Sequence, residues 1–427
     1  MTTLVFRSCQ STRAVSLPDE WLGEVIEPRP VTIIDEAAMV IKAALARPIG
    51  SAPLDELVQP DHKVAILVDD YTRKTPIDLM LPPVLEALCA AHVPDQNIHI
   101  VIALGTHRLM TAAELAHKLG AEIAQRYSII NVSSTCDDEF VYLGTASNGL
   151  PAYVNRVVAD ADIRIGLGMI TPHLDAGFSG GMKIVLPGVC GTRSVDAFHR
   201  QSAFIAQNQL GQIAAPLRGV LEQFVSERVP LMFIVNAIIT LDGQLYACVA
   251  GHPRLAHRAG VKHALAVFSA PAKRRYPIVV ANCYPYDIDL WQSIKGIWAG
   301  DLITDDGGTL IAVTAAPEGN STYPLVPGYI GRGADGVKRE IETGTALDDK
   351  QAATGVMFRT LMRRVRLVLV SEGLTAADAR TMGIDYYSSV EAAAAAEIDR
   401  LPIGARAGAM GIVPQAGIVL PVIEPAG

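Results

Sequence analysis

Cysteine is scarce in this sequence, and its spacing excludes both a disulfide-stabilised scaffold and a zinc site made of cysteines alone. The chain has 427 residues but only six cysteines, and no two of them form a CxxC pair. They are scattered along the whole chain, at Cys9, Cys89, Cys136, Cys190, Cys248 and Cys283. Neither a disulfide framework nor a structural zinc site has such spacing. We therefore expect reduced thiols, with those in apolar segments buried in the core.

The sequence also lacks an apolar run long enough to cross a membrane. Half of the residues are hydrophobic, yet a spanning helix needs about 20 consecutive apolar residues. The longest candidate, residues 79–93, is shorter and contains Glu86 and two prolines. Residues 1–13 have neither the apolar stretch nor the cleavage site of a signal peptide. We expect a cytoplasmic protein with no membrane partner.

Basic residues are in the minority. The chain has 36 Lys and Arg against 44 Asp and Glu, which gives a net charge of -8. This balance argues against nucleic acid as a non-specific partner, although a local basic pocket can still hold an anion. Because only 19% of the residues are charged, the chain can bury a large core and is not disordered in bulk. Its length corresponds to roughly two or three domains.

Apolar, strand-like runs alternate with helix-like segments along most of the chain. Strands are predicted at 63–70, 97–105, 128–134, 162–170, 278–283, 309–315 and 366–372. Helices are predicted at 78–92, 216–228, 289–301 and 390–398. Nearly continuous apolar runs are typical of parallel strands that are buried on both faces. The sequence therefore predicts an α/β fold with two domains, each a mainly parallel, Rossmann-like sheet flanked by helices.

A basic segment that contains two prolines, residues 271–277, interrupts this alternation and indicates a domain boundary. Residues 1–270 would form an N-terminal, cofactor-binding domain, and residues 275–400 a C-terminal one. The tail at 404–427 is rich in glycine, proline and apolar residues. We expect this tail to pack back onto the first domain, and the active site to lie in the cleft between the domains.

Two local signals are specific enough to fix element boundaries. Thr111 and Glu114 form a capping box, which predicts a helix that ends near Gly120. The segments 231–240 and 244–250 flank a Leu-Asp-Gly turn, which predicts a β-hairpin.

Polar side chains follow two of the predicted strands, where ligands bind in open α/β sheets. Asp70 and Arg73 follow the first strand. The guanidinium could fork onto a carboxylate or phosphate, and Asp70 could orient it or bind a ribose hydroxyl. A helix-capping aspartate with a surface arginine is the alternative. His107, in Gly-Thr-His-Arg, follows the next strand and could act as an acid or base, or serve as a hydrogen-bonded structural histidine.

The third cluster combines His173 with a glycine-rich turn and Lys183. The turn contains Gly180 and Gly181, whose backbone N–H groups could approach an anion while the lysine adds positive charge. It is not a P-loop, because the glycine spacing differs and Ile184 stands where Ser or Thr would bind magnesium. An ordinary glycine turn is the alternative interpretation.

Three further polar residues are candidates for ligand binding. His199 lies in a helix-like segment and could bind a metal or exchange protons, but there is no HExxH motif. Gln292 and Lys295 lie three residues apart in the second predicted domain, and therefore on one face of a helix. A solvated helix face is the alternative for that pair.

In this order the clusters resemble the nickel-dependent lactate racemase family. The resemblance covers almost the whole chain, because it also includes Pro-Ile-Gly at 48–50 and Pro-Gly at 187–188. Each motif is weak by itself, whereas five motifs in the family's order, with a partner in the second domain, are specific. The resemblance implies a racemase or epimerase of 2-hydroxy acids, an isomerase. It also implies an acid substrate and the cofactor-maturation proteins as partners.

The resemblance further implies a nickel-pincer nucleotide, a pyridinium-3,5-bisthiocarboxylic acid mononucleotide that grips nickel. By that resemblance, Lys183 would carry it covalently and His199 would complete nickel coordination. Asp70, Thr72, Gly180 and Gly181 would position the nucleotide. His107 and His173 would be the acid–base pair, and the substrate would be held by Arg73, Gln292 and Lys295. Hydride transfer to the pyridinium through a 2-oxo acid would avoid a carbanion beside the carboxylate.

Two residues distinguish this chain from a site shaped for lactate alone. Asp175 lies two residues after His173, and Trp291 precedes Gln292. A carboxylate near the site suits a larger substrate with a hydroxyl or amine, because lactate presents only a methyl group there. Alternatively, Asp175 orients His173 or caps the following turn.

Two other functions are compatible with the same residues. One is a hydrolase or lyase with zinc or iron on the three histidines, which leaves Lys183 and the glycine turn without a role. The other is a nucleotide-binding sensor without turnover, which does not need His107 and His173 together. Loss of activity in His107→Ala and His173→Ala proteins that still bind the nucleotide would argue against the sensor.

Overall fold

The computed structural model describes residues 1–33, 36–320 and 323–424. In these residues the chain forms strands β1 Thr2–Arg7, β2 Thr12–Leu17, β3 Leu22–Val25, β4 Val64–Asp69, β5 Ile98–Ala103, β6 Ser128–Ile130, β7 Phe140–Thr145, β8 Pro151–Asn155, β9 Ile163–Met169, β10 Pro172–His173, β11 Gly177–Phe178, β12 Phe233–Ile239, β13 Leu245–Gly251, β14 Ser269–Ala272, β15 Tyr276–Asn282, β16 Thr304–Thr314, β17 Arg366–Ser371, β18 Asp385–Tyr387, β19 Met410–Val413 and β20 Leu420–Ile423.

The helices are α1 Ala37–Ala46, α2 Leu54–Leu57, α3 Ile77–Ala90, α4 Ala112–Leu119, α5 Ala121–Arg126, α6 Arg156–Asp160, α7 Thr192–Arg200, α8 Pro216–Arg228, α9 Pro253–Phe268, α10 Leu290–Asp301, α11 Val326–Gly331, α12 Ala334–Thr343, α13 Asp349–Leu361, α14 Ala376–Met382 and α15 Val390–Arg400. None of the helices in the described ranges is both long and apolar enough to cross a membrane.

The first six-stranded sheet has the order β13-β12-β9-β4-β5-β6. Its strands are parallel except β13, which returns antiparallel to β12 as the predicted hairpin. All six residues of β4 are buried, as the continuous apolar run predicts. The capping box of Thr111 and Glu114 is confirmed, and α4 ends at Gly120. The hairpin, the buried strand and the capping box predicted from local sequence patterns are therefore all present in this part of the structure.

The second six-stranded sheet has the order β18-β17-β16-β15-β19-β3, and all its pairings are parallel. Helices α10 and α15 pack on it. The two sheets confirm the predicted α/β class with two mainly parallel sheets flanked by helices.

The two chain ends depart from the predicted division at residue 270. Strand β3, near the N-terminus, is an edge strand of the second sheet, and β19 of the tail lies between it and β15. The hairpin β1–β2 packs Phe6 and Leu17 against Ile278 of the second sheet. Strands β3 and β19 thus belong to the second sheet and the β1–β2 hairpin packs on it, although the sequence predicts these residues on the first domain.

The physical reason is that β3 and β19 have only four residues each, too few to show which sheet they join. Their places are set by long-range partners, such as the hydrogen bond of 2.7 Å from the Tyr276 hydroxyl to Glu24. Strand β20 pairs instead with β14, where the chain passes between the domains. Residues 425–427 of the tail lie outside the described residues.

Candidate active site

One cleft between the two domains gathers most of the residues singled out from the sequence. It lies at the carboxyl ends of β4, β5 and β9 and faces helices α10 and α13 of the second domain. The lining includes Asp70, Arg73, His107, His173, Gly180, Lys183, His199, Gln292 and Lys295. The remaining two, Thr72 and Gly181, act through neighbours: Thr72 bonds to Asp70, and Gly181 donates its N–H to the Asn236 amide oxygen at 2.7 Å.

Asp70 fixes the ring of His107. The Asp70 carboxylate is 2.5 Å from His107 Nδ1, and its other oxygen accepts from Thr72 N–H at 3.0 Å. Burial raises the pKa of Asp70, but hydrogen bonds and charge from His107, with the Thr72 hydrogen bond, lower the pKa more, so the group is an anion at neutral pH. A carboxylate only accepts hydrogen bonds, so His107 Nδ1 carries a proton. In the neutral ring, Nε2 is then a base.

His173 is held the opposite way. Its Nδ1 lies 3.2 Å from the backbone N–H of Asp175 and 3.3 Å from that of Ala176. Because both groups are donors, Nδ1 accepts, and in the neutral ring Nε2 carries the proton. Burial, with the charges of Lys183 and Arg73, holds the pKa of His173 well below its ordinary value. The two histidines therefore present a base and a hydrogen-bond donor.

The backbone and the side chain of Asp175 have different surroundings. The backbone N–H of this residue, not its carboxylate, contacts His173. The carboxylate lines the cleft, where burial raises its pKa to about 6. A side chain in that place can contact a ligand.

The glycine-rich turn brings the backbone close to other groups. Gly177, at the start of β11, has φ +70°, and a Cβ there would lie 1.8 Å from the Gln212 carbonyl oxygen. Gly180 has φ +73°, and its Cβ would lie 2.8 Å from Ile170. Both positions therefore require glycine. Gly180 lines the cleft together with Lys183.

Arg218 holds this turn through hydrogen bonds to its backbone, and the sequence analysis does not predict this role. Its guanidinium is 1% exposed and donates to the carbonyl oxygens of Ala176, Phe178 and Gly180. Glu222, one turn along α8, lies 3.9 Å away and balances the charge. The only sequence signal is an Arg and a Glu four residues apart in a helix, which is common on solvated helices.

Lys183 lies in a short 3-10 turn, Gly181–Ile184, that follows the glycines. Burial and the nearby charge of Arg73 lower the pKa of its amine to about 7, although Asp175 opposes the shift. About half of the amine is therefore neutral at pH 7, and a neutral amine is a nucleophile. This residue can form a covalent bond to a ligand.

His199 presents one nitrogen to the cleft. Its Nδ1 lies 2.8 Å from the Val195 carbonyl oxygen, which only accepts, so Nδ1 donates and Nε2 keeps its lone pair. Burial, with the charge of Lys350, lowers its pKa to about 3, so the ring is neutral. A metal-binding histidine commonly has this arrangement, with the other nitrogen bonded to a carbonyl.

Within residues 1–33, 36–320 and 323–424, no group of three or more His, Cys, Asp or Glu side chains could hold a metal ion. His107, His173 and His199 thus do not form one ligand set there. A metal at His199 would need further donors from a bound cofactor.

The second domain contributes cations to the opposite wall. Asp289 caps α10 by accepting from Gln292 N–H at 2.6 Å, which orients the helix toward the cleft. Lys295 Nζ donates to the Gln292 side-chain oxygen at 2.9 Å and lies 3.5 Å from the centre of the Tyr286 ring. Burial, Arg73 and Lys183 hold the pKa of Lys295 well below its ordinary value. The arrangement predicts recognition of an anion, which would relieve this crowding of positive charge.

Lys350 and Tyr323 also line the cleft, and no sequence prediction names them. Lys350 lies on α13 and Tyr323 precedes α11, about 30 to 60 residues beyond the predicted helix with Gln292. Neither residue belongs to a recognisable motif, so only the folded chain brings them to the site.

Comparisons with known proteins agree with the geometry. A model of the lactate racemase N-terminal domain matches residues 9–211. Lactate racemase from Lactiplantibacillus plantarum is 31% identical over 284 residues, which make up 66% of this chain and 66% of that protein. Lactate racemase from Thermoanaerobacterium thermosaccharolyticum is 29% identical over 324 residues, 73% of this chain and 74% of that protein. The matched part thus spans about two thirds of the length of the first relative.

Solved structures show the same fold. The lactate racemase apoprotein from Thermoanaerobacterium thermosaccharolyticum superposes with a TM-score of 0.86 over 99% of this chain and 100% of that chain, at 23% identity. A protein from Thermotoga maritima superposes with a TM-score of 0.68 over 91% of this chain and 98% of its own, at 20% identity.

Proposed function

This chain belongs to the lactate racemase family, and on that premise we propose that it is a racemase or epimerase of 2-hydroxy acids, with lactate or a larger polar relative as substrate. One observation carries the proposal: a single cleft places two differently held histidines, His107 and His173, between cations from both domains. Racemisation requires that a proton leaves the substrate hydroxyl and later returns to it, while the substrate carboxylate stays bound.

The two histidines suit the two proton steps. His107 Nε2 is free to accept the hydroxyl proton, and the Asp70 carboxylate stabilises the imidazolium that results. His173 Nε2–H can donate a hydrogen bond to the same oxygen, since Nδ1 is held by two backbone N–H groups, and the proton returns to that oxygen from the His107 imidazolium. One ring is therefore prepared as a base and the other as a donor.

Arg73 and Lys295 suit the substrate carboxylate. They lie in the same cleft on opposite domains, and Gln292 adds an amide next to Lys295. A bidentate guanidinium and an ammonium would hold the carboxylate while the oxo acid turns over.

The residues of the first domain fit a nickel-pincer nucleotide. Lys183 offers a partly neutral amine for covalent attachment, His199 Nε2 offers a lone pair to nickel, and Gly180 lines the same cleft. When bound, this cofactor would supply the acceptor and donor of the C2 hydride. Cofactor-maturation proteins are then required partners.

The test is intact mass and nickel content of the protein produced together with the nickel-pincer biosynthetic proteins, with Lys183→Ala as the control. We expect a nucleotide-sized adduct with about one nickel per chain in the wild type and neither in the control. The loaded protein should then racemise or epimerise 2-hydroxy acids, which chiral chromatography measures.

Absence of both adduct and nickel, while a known relative is loaded in the same cells, would contradict the proposal. Loading without turnover of any 2-hydroxy acid would favour the nucleotide-binding sensor instead. His107→Ala and His173→Ala should stay loaded but lose turnover.

A further inference from the structure

Lys350 is a buried cation that the reaction outlined above does not use. Its side chain is almost enclosed, since the residue is 8% exposed, and it lines the cleft from the second domain. The ammonium donates to the Tyr323 hydroxyl at 2.8 Å and, across the cleft, to the Thr106 hydroxyl at 3.3 Å. Both partners are neutral, so neither cancels its charge.

Aromatic rings complete the surroundings of this ammonium. Lys350 Nζ lies 4.3 Å from the centre of the Tyr323 ring and 4.9 Å from that of Trp291. These two rings pack on each other with centres 4.1 Å apart. An ammonium has three N–H donors, and the two hydroxyls in the described part of the chain occupy two of them. One donor is left for a ligand in the cleft.

Lys350 and Asp175 line the same cleft from opposite domains. Both are nearly enclosed, since Lys350 is 8% and Asp175 7% exposed. Burial raises the pKa of the Asp175 carboxyl, and the charges of Lys183 and Lys350 oppose that rise. The cleft therefore holds a buried ammonium and a buried carboxylate in addition to Arg73 and Lys295.

A cation and a carboxylate that line the same cleft select the chemistry of a ligand. A hydroxyl group both accepts from an ammonium and donates to a carboxylate, which a methyl group or a second carboxylate cannot do. A methyl group would satisfy neither the third N–H of the ammonium nor the carboxylate, which is costly for buried charged groups. A second carboxylate would meet the charge of Asp175.

We propose that Lys350 and Asp175 bind hydroxyl groups on the carbons beyond C2, so that the protein prefers polyhydroxy acids of the aldonic type to lactate. The inference rests on the proposed function, because it names the substrate class of the same site. Trp291 and Tyr323 would cover the C–H faces of such a chain, as aromatic rings do with sugars.

The test compares three acids of four carbons: 2,3,4-trihydroxybutanoate, 2-hydroxybutanoate and malate. The loaded holoenzyme is assayed for inversion at C2, and the readout is the ratio of kcat/KM for the trihydroxy acid to that for 2-hydroxybutanoate. This ratio is independent of the fraction of protein that carries cofactor. We expect a wild-type ratio above about 100, because a site that binds hydroxyls rejects an analogue that lacks them.

Lys350→Met keeps the length of the side chain and removes its charge, and should lower the ratio about 10- to 100-fold. Asp175→Asn should lower the same ratio from the other domain, which covers the case in which Lys350→Met does not fold. Lys338→Met on α12 is the matched control, since that lysine lies outside the cleft and the ratio should not change.

An equal ratio in wild type and Lys350→Met, or a preference for 2-hydroxybutanoate, would overturn the inference alone. A preference for malate would overturn it in favour of a dicarboxylate. If no acid is inverted, the proposed function fails, and calorimetric binding of the same acids to wild type and Lys350→Met still decides the inference. Tighter binding of the trihydroxy acid by the wild type would support it, and equal binding would refute it.

Discussion

The two walls of the cleft are built differently. On the first domain, His107 and His199 are fixed by hydrogen bonds that their Nδ1 atoms donate, to the Asp70 carboxylate and the Val195 carbonyl oxygen. His173 Nδ1 instead accepts from two backbone N–H groups. On the second domain, the ammonium groups of Lys295 and Lys350 lie over aromatic faces and contact neutral amide or hydroxyl groups. Such hydrogen bonds fix which ring nitrogen carries a proton, whereas an ammonium over a ring keeps rotational freedom.

This difference separates two tasks. Proton transfer depends on which atom carries the proton, so it needs the fixed wall. Recognition of an anion tolerates adjustment, because the attraction between an ammonium and a carboxylate falls slowly with distance. Changes to the histidines of the first wall should therefore alter the rate of turnover. Changes to the lysines of the second wall should alter affinity and selectivity.

The largest effect should come from the fixed wall. His107→Gln should lower kcat about 100- to 10,000-fold, because the base is removed, with a much smaller change in KM. His117→Gln is the control, since that histidine is exposed on α4. Steady-state kinetics of the loaded proteins measures both. A change in KM with unchanged kcat would show that His107 belongs with recognition.

The next largest effect should come from Arg218, which holds the glycine turn of the first domain, and it should appear in the free energy of unfolding. Arg218→Met should lower the free energy of unfolding by about 3–5 kcal/mol, because three carbonyl oxygens and Glu222 lose a buried partner. Arg254→Met removes a half-exposed partner of the same glutamate and should cost less than about 1 kcal/mol. Denaturant unfolding compares them, and equal losses would contradict the role of Arg218.

Changes to the wall formed by the second domain should alter KM more than kcat. Lys295→Met should raise KM about 10- to 100-fold through loss of a charge-assisted hydrogen bond to the carboxylate, with a smaller change in kcat. Lys295→Arg should recover part of the affinity. A fall in kcat with unchanged KM would place Lys295 with the proton-transfer groups instead.

The smallest effect is a change of reactivity with pH. With a pKa of about 7, Lys183 is mostly protonated below pH 7 and mostly neutral above it. Acylation of Lys183 by a small amine-reactive ester should rise about 10-fold per pH unit up to pH 7 and then level off. Peptide mass spectrometry follows this, with exposed Lys262 as the reference lysine. Parallel profiles for both lysines would contradict the shift.

The sequence predicts those parts of the fold and site that depend on neighbours along the chain. The helix after Thr111, the hairpin of β12 and β13, and the turn at Gly180 all follow from residues within one element. The polar groups at the ends of β4 and β5 meet in the cleft because parallel strands end at one edge of the sheet.

What the sequence could not predict depends on long-range contacts. Arg218 and Lys350 reach the site from helices without a motif, and an isolated Arg or Lys is more often solvated. The sheet that β3 joins is decided by pairing with β19, which lies almost 400 residues later. No local pattern carries that information.

The placement of β3 also determines how the cleft can open. Because β3 and β19 both belong to the second sheet, the first domain is an insertion within the second. The chain crosses between them twice, once after Val25 and once between Phe268 and Tyr276. Two crossings restrict the relative motion of the two domains to a hinge rotation about the line that joins the crossings.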